Sequence, residues 1–176
     1  HFAHARLALR RILSGYLKHP AEQIVFHYEN NGRPGIAHPA ADIDFNLSHT
    51  GNRMVLAVSQ AFRVGVDIEV VRASPRHAAI ARRFLTADDA ERIARLDAAS
   101  VPRAFARAWT RFEAARKLSG TGVFAAEPHS PPSRCIAFAI DDGIVGQLCH
   151  NAITRTDLVF LTPDGNLLGG TDSQQV

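Results

Sequence analysis

Residues 65–69 read Gly-Val-Asp-Ile-Glu, and this stretch predicts a short buried strand that carries two acidic side chains. Because side chains two residues apart in a strand point to the same face, Asp67 and Glu69 project together, whereas Val66 and Ile68 face a core. Taken alone, such a pair is more typical of a solvated strand edge or a salt bridge. Its meaning therefore depends on the segments that the fold brings beside it.

A second segment, residues 109–117, reads Trp-Thr-Arg-Phe-Glu-Ala-Ala-Arg-Lys and predicts a helix. Trp109, Glu113 and Lys117 are four residues apart and share one helical face, with Trp109 expected in the core. Alone, Glu113 and Lys117 would be an ordinary surface pair. Combined with the strand acids, they make a set of three carboxylates and a lysine. Attack on a phosphate or diphosphate with Mg²⁺ needs such a set, since Mg²⁺ prefers oxygen ligands.

A third segment, residues 45–51, reads Phe-Asn-Leu-Ser-His-Thr-Gly. Together the three segments resemble 4'-phosphopantetheinyl transferases of the Sfp-like type in their residues, order and spacing. Gly32–Pro34 is similar to a Gly-[Lys/Arg]-Pro turn of that family, and Arg83–Thr86 is similar to another of its motifs. The resemblance covers roughly residues 3–123.

The resemblance implies a reaction. Such enzymes move the 4'-phosphopantetheine arm of coenzyme A onto a serine of an acyl, peptidyl or aryl carrier protein and release 3',5'-ADP. A serine hydroxyl needs a base, and the diphosphate needs Mg²⁺ and a cation to offset its charge. The expected cofactor is therefore Mg²⁺, with coenzyme A as co-substrate.

The family implies roles for four residues near the strand acids. Asp67 is the firmest metal ligand, with Glu113 beside it, and Glu69 binds metal in some members. Glu113 acts instead, or also, as the base toward the carrier serine. Lys117 is both a catalytic residue and a contact for the phosphate oxygens of the coenzyme.

The family also implies contacts to coenzyme A outside the acidic cluster. Ser48 and His49 are expected at its phosphates, and Arg33 and Pro34 at its adenine and phosphate pocket. Arg6 is placed there by an approximate match of the first helix. Because an Asn-Gly-Arg-Pro run is a turn signal by itself, Arg33 is open to a purely local interpretation.

The chain departs from the family pattern in three places. Phe112 stands where the family has a lysine before the helix glutamate. Phe2–Arg6 resembles the middle of the first helix, so we expect a first lobe that is incomplete at its start. After Val123 the match is poor, and we expect a divergent tail.

Strands and helices in separate runs favour an α+β fold. The family fold agrees, with a pseudo-twofold pair of α+β lobes and the active site between them. We expect an N-terminal lobe over residues 1–62 and a C-terminal lobe with the metal site over 63–176. The expected elements are helices over 3–17, 75–84, 86–97 and 101–118, and strands over 24–28, 42–48, 54–59, 64–68, 135–140 and 158–161.

Composition limits the partners. The net charge is +3, but residues 72–117 carry 11 Lys or Arg against 5 Asp or Glu. This basic segment is either a solvated helical face or a docking surface for an acidic partner such as a carrier protein, with Phe84 and Leu85, if exposed, at its apolar centre. No apolar run approaches the roughly 20 residues of a membrane span. We expect a cytoplasmic monomer with no membrane or nucleic-acid partner. Cys135 and Cys149 are expected as reduced core thiols, with a disulfide between them as the alternative.

Two other classes stay open. One is a different Mg²⁺-dependent phosphate enzyme, such as a nuclease that uses the same three acids. The other is a non-catalytic or degenerate module that binds carrier protein or coenzyme A, which Phe112 makes plausible. The carrier could serve fatty-acid, polyketide or nonribosomal peptide biosynthesis.

Overall fold

The computed structural model of the protein describes residues 2–121 and 134–152. Helix α1 (Phe2–Leu17) begins it, and a short 3-10 turn (Ala21–Gln23) leads into the antiparallel hairpin of β1 (Val25–Tyr28) and β2 (Pro34–His38). Leu9 and Leu13 of α1 are buried, which confirms the helical spacing of its apolar residues.

A second hairpin joins β3 (Asp44–Thr50) to β4 (Arg53–Ser59), and β5 (Val64–Val70) follows. Gly51 lies in the left-handed region with φ 55°, a conformation that favours glycine at the tip of a tight turn. Strand β5 carries the two acids of the opening motif, as predicted.

Three helices come next, namely α2 (His77–Phe84), α3 (Ala87–Ala94) and α4 (Val101–Ser119). Thr86 caps α3 by accepting a hydrogen bond from the backbone N–H of Asp89. Gly120, with φ 75°, ends α4 in the left-handed conformation. The three helices lie where the sequence predicts them, with ends that differ by up to three residues.

The last described strands are β6 (Arg134–Asp141) and β7 (Ile144–His150), which form an antiparallel sheet in the order β5-β7-β6. Strand β7 is central and buried throughout. The apolar run at 135–140 is a strand as expected, whereas the run at 158–161 lies outside the described residues.

Helix α4 packs directly on β5. A Cβ atom built on Gly65 would lie 2.1 Å from the carbonyl oxygen of Ala114 and 2.5 Å from the backbone N of Leu118. Only glycine allows this approach, because both neighbouring atoms belong to the helix backbone. The glycine of the opening motif therefore brings α4, with its acid and lysine, against the acidic strand.

The prediction of two reduced thiols is wrong in this structure. Cys135 and Cys149 form a disulfide between β6 and β7. The register pairs them directly, with Cα atoms 4.1 Å apart, and they lie under α4 beside Ala114. The 14-residue separation in sequence gave no sign of this strand pairing.

The α+β fold class is confirmed. The boundary between lobes near residue 62 stays a prediction. Across the described ranges, no helix combines the length and apolar character needed to cross a membrane.

Candidate active site

A ladder of polar side chains on β3 holds the edge of β5. The two strands belong to different sheets, so backbone N–H groups on this edge of β5 find their acceptors in alternate side chains of β3. The pairs are Val64 N to Asp44 Oδ2 (2.7 Å), Val66 N to Asn46 Oδ1 (2.8 Å) and Ile68 N to Ser48 Oγ (3.2 Å). This ladder fixes how β5 is aligned along β3, and therefore where the acids of β5 lie.

Asp67 is almost completely buried, with 3% of its surface exposed. Its Oδ1 accepts hydrogen bonds from the Ser48 hydroxyl at 2.8 Å and from Lys117 Nζ at 2.7 Å. Its Oδ2 has no hydrogen-bond partner among the described residues. A buried carboxylate oxygen without a partner is costly, and a bound cation would satisfy it.

Glu69 is held by a second hydroxyl group of β3, that of Thr50. Its Oε2 accepts a hydrogen bond from the Thr50 hydroxyl at 3.1 Å and another from the backbone N–H of Val70 at 3.1 Å. Both acids of the strand are therefore tied to hydroxyl groups of β3 that lie two residues apart.

Glu113 faces these acids from α4. Burial raises the pKa of the Glu113 carboxyl to about 7, and the negative charges of Asp67 and Glu69 add to the shift while Lys117 opposes it. A pKa near neutrality suits a general base. The shift also shows that the structure brings the three acids close enough to repel one another.

Lys117 joins the helix to the strand. In addition to Asp67, its Nζ donates to the carbonyl oxygen of Val66 at 3.1 Å. Nearly a third of its side chain is exposed, so it borders solvent while it neutralises a buried acid. It is placed to contact an anion that approaches Asp67.

Within the part of the chain that the structure describes, no group of three or more His, Cys, Asp or Glu side chains is ready arranged as a metal site. The Lys117 ammonium supplies the positive charge beside Asp67 Oδ1 instead. The donor set nevertheless fits Mg²⁺, because Asp67 Oδ2 has no partner among the described residues and the negative charges of Asp67 and Glu69 act on Glu113, a repulsion that a bound cation would relieve.

Arg33 takes part in a network of interior hydrogen bonds, and its expected contact with coenzyme A stays a prediction. It is buried, and its guanidinium donates to Asp44, to the carbonyl oxygens of Phe45 and Val64, and to that of Lys117 at the end of α4. These bonds tie β2, β3, β5 and α4 together. The geometry supports a structural role for Arg33, and Pro34 begins β2 beside it.

The other predicted coenzyme contacts lie apart from one another. Ser48 is engaged with Asp67, whereas His49 faces the opposite side of β3 and is exposed, because strand side chains alternate. Arg6 lies on α1 and donates to the Tyr28 hydroxyl at 3.4 Å. Contact of His49 and Arg6 with coenzyme A stays a prediction.

Sequence reasoning missed a cavity of about 450 Å³ between β5 and helices α2 and α4. Glu69 and Glu113 border it, and half-buried Trp109 lines it instead of lying wholly in the core. His77 stacks on Phe105 in its wall, with ring centroids 4.2 Å apart. Burial, followed by the charge of Arg72, lowers the pKa of His77.

Phe112 belongs to an aromatic group rather than to the acidic cluster. It packs against Trp109 and Phe84, and the Arg116 guanidinium lies 5.1 Å from its ring centroid. Arg111 pairs with Asp89 at the start of α3 and is no substitute for the missing lysine. Phe84 and Leu85 are half-buried, and both pack inward.

Comparisons with known proteins agree with the motifs. A family model described as "4'-phosphopantetheinyl transferase superfamily" matches residues 63–149. Another, described as "4'-phosphopantetheinyl transferase, N-terminal", matches residues 2–61. Both models concern the same class of transferase, and together they cover most of the chain.

Curated relatives carry the same description. The 4'-phosphopantetheinyl transferase HetI of Nostoc sp. is 34% identical over 124 residues, which are 69% of this chain and 52% of the relative. The corresponding protein psf-1 of Bacillus pumilus is 37% identical over 115 residues, or 65% and 48%. AcpT of Escherichia coli strain K12 is 33% identical over 114 residues, or 65% and 56%. The chain spans about half the length of the curated relatives it matches.

Proposed function

The chain belongs to the 4'-phosphopantetheinyl transferase superfamily, and from this premise we propose that it transfers the 4'-phosphopantetheine arm of coenzyme A to a serine of an acyl, peptidyl or aryl carrier protein. One observation carries the proposal beyond the family. Asp67, Glu69, Glu113 and Lys117 converge from β5 and α4, and a buried oxygen of Asp67 has no partner among the described residues.

We assign the proton transfer to Glu113. The serine oxygen attacks the phosphorus that bears the pantetheine arm, so a new oxygen–phosphorus bond forms and the bond to 3',5'-ADP breaks. The serine proton passes to the Glu113 carboxylate, which faces Asp67 and Glu69 from α4.

We assign the charge on the diphosphate to Lys117 and a metal ion. Asp67, Glu69 and Glu113 would hold Mg²⁺, which when bound supplies Lewis-acid stabilisation of the phosphoryl oxygens. Lys117 lies beside Asp67 and adds a positive charge where the leaving group gains negative charge.

The partner is proposed to be acidic. Arg72 lines the cavity that Glu113 borders, and Arg76, Arg82 and Arg83 are exposed on or beside α2. Such a surface attracts an acidic carrier protein by electrostatic steering. The proposed setting is the cytoplasm, with the protein as a monomer and without a nucleic-acid partner.

The test is the intact mass of an apo carrier protein after incubation with the protein, coenzyme A and Mg²⁺. We expect the carrier to gain the mass of one phosphopantetheine group, and a matched sample with EDTA to gain none. An unchanged carrier, with a folded protein, would contradict the proposal.

A second candidate is a module that binds carrier protein or coenzyme A without transfer. The observation that favours it is Phe112, which stands in the aromatic group where the family has a lysine. Binding of coenzyme A measured by calorimetry, combined with an unchanged carrier mass, would support this candidate.

A further inference from the structure

Two hydroxyl–carboxylate pairs connect β3 to β5 with the same spacing. Ser48 donates to Asp67 at 2.8 Å and Thr50 donates to Glu69 at 3.1 Å, and both pairs are 19 residues apart in sequence. Because residues two apart share a strand face, the two hydroxyls and the two acids form parallel rungs. Thr50 lies within the motif at Phe45–Gly51, but the family resemblance assigned it no role.

Each rung holds one oxygen of its acid. Ser48 and Lys117 both donate to Oδ1 of Asp67, and Oδ2 has no partner among the described residues. Thr50 and the backbone of Val70 both donate to Oε2 of Glu69. Hydroxyl groups of β3 thus anchor one oxygen of each carboxylate, and the other oxygen of Asp67 has no partner among the described residues.

We propose that Thr50 is a positioning residue that makes Glu69 a ligand of the divalent cation in this chain. The inference rests on the proposed function. A glutamate side chain loses rotamer freedom when it binds a metal, and a hydroxyl that already holds Oε2 reduces that cost. Partners of metal ligands of this kind typically contribute about 10–100-fold to metal affinity.

Thr50 can be tested without disturbing the strand. It is half-buried at the end of β3 and pairs with Arg53 in the hairpin. Thr50→Val keeps the shape and the β-branched character of the side chain and removes only the hydroxyl. Thr50→Ser keeps the hydroxyl and loses a methyl group.

The experiment measures Mn²⁺ binding by electron paramagnetic resonance, with Mn²⁺ as the probe and without coenzyme A or carrier protein. We expect Thr50→Val to weaken Mn²⁺ binding about 10-fold, and Thr50→Ser to remain near the wild-type affinity. Glu69→Gln should weaken binding in the wild-type background but add little in the Thr50→Val background, since the two residues act as a unit.

Thr86→Val is the matched control. Thr86 also donates to a carboxylate, that of Asp89 at 3.0 Å, but it does so at the start of α3. We expect this variant to lose helix stability and to keep its Mn²⁺ affinity. Thermal unfolding should confirm that the Thr50 variants remain folded.

Three results would overturn the inference. They are no Mn²⁺ binding by the wild-type protein, unchanged affinity in Thr50→Val, and additive losses in the double variant with Glu69→Gln. The Mn²⁺ measurement does not depend on transfer. If Mn²⁺ binding follows the expectation while the carrier protein stays unmodified, the proposed transferase function is rejected and the role of Thr50 stands.

Discussion

Lys117 and Asp67 form an ion pair of 2.7 Å that joins helix α4 to strand β5. The acid is buried and the lysine borders solvent. The two residues are 50 positions apart in the sequence, so the pair holds together two elements that are distant along the chain. Breaking it would change both the docking of the helix and the charge that an incoming phosphate meets.

Asp67→Ala should abolish Mg²⁺-dependent transfer, because it removes the acid with the unsatisfied oxygen and leaves Lys117 without its counter-ion. Intact mass of the carrier protein measures the loss. Asp42→Ala is the control, since Asp42 is an exposed loop residue and its loss should leave transfer unchanged. Turnover by Asp67→Ala would reject the site assignment.

Glu113 should make the metal-free protein less stable as pH rises. Its folded pKa of about 7 exceeds the ordinary value of 4.5, so the folded state holds the proton more tightly than the unfolded state. The stabilisation is complete below about pH 4.5 and is lost as pH rises through 7. Glu113→Gln should therefore raise the melting temperature relative to wild type at pH 8 but not at pH 4.5.

The measurement is thermal unfolding with EDTA across this pH range. If the melting temperatures of wild type and Glu113→Gln changed with pH in parallel, burial and the neighbouring acids would not raise the pKa of the Glu113 carboxyl.

Gly65→Ala should destabilise the protein by about 1–3 kcal/mol, because the new Cβ meets the backbone of α4 and the helix has to move. Gly15 gives the matched control. It lies within α1 with nothing within 4 Å of an added Cβ, so Gly15→Ala should stabilise by about 0.5–1 kcal/mol. Chemical denaturation measures both, and a neutral Gly65→Ala would contradict the close packing.

Arg33→Lys should reduce the free energy of unfolding by about 3 kcal/mol, because an ammonium group cannot replace the several buried hydrogen bonds of the guanidinium fork. Exposed Arg53 donates to the side chain of the neighbouring Asn52, so Arg53→Lys should leave the free energy of unfolding unchanged. If Arg33 instead contacts coenzyme A directly, Arg33→Lys would weaken coenzyme binding at unchanged stability.

The disulfide between Cys135 and Cys149 should stabilise the oxidised protein by about 3 kcal/mol, as expected for a loop of this length. Denaturation with and without a thiol reductant measures this contribution. The double alanine variant should be insensitive to the reductant. Equal stability of wild type under both conditions would show that the thiols are free.

Local sequence patterns were enough to predict most helices and strands and the main candidate residues of the active site. Helical spacing in α1 and α4 and strand alternation in β3 and β5 are local periodicities, and the structure follows them. The linked motifs at Phe45–Gly51, Gly65–Glu69 and Trp109–Lys117 were enough to indicate the family. Local patterns carry this information because side-chain direction repeats with the backbone.

The hydrogen-bond and disulfide partners of individual side chains became known from the tertiary structure. It assigned Arg33 to four structural hydrogen bonds and Thr50 to Glu69, and it paired the two cysteines across strands. These contacts join residues far apart in the chain, and their geometry depends on strand register and helix packing. No spacing along the sequence encodes that geometry, because it is set by which elements pack together.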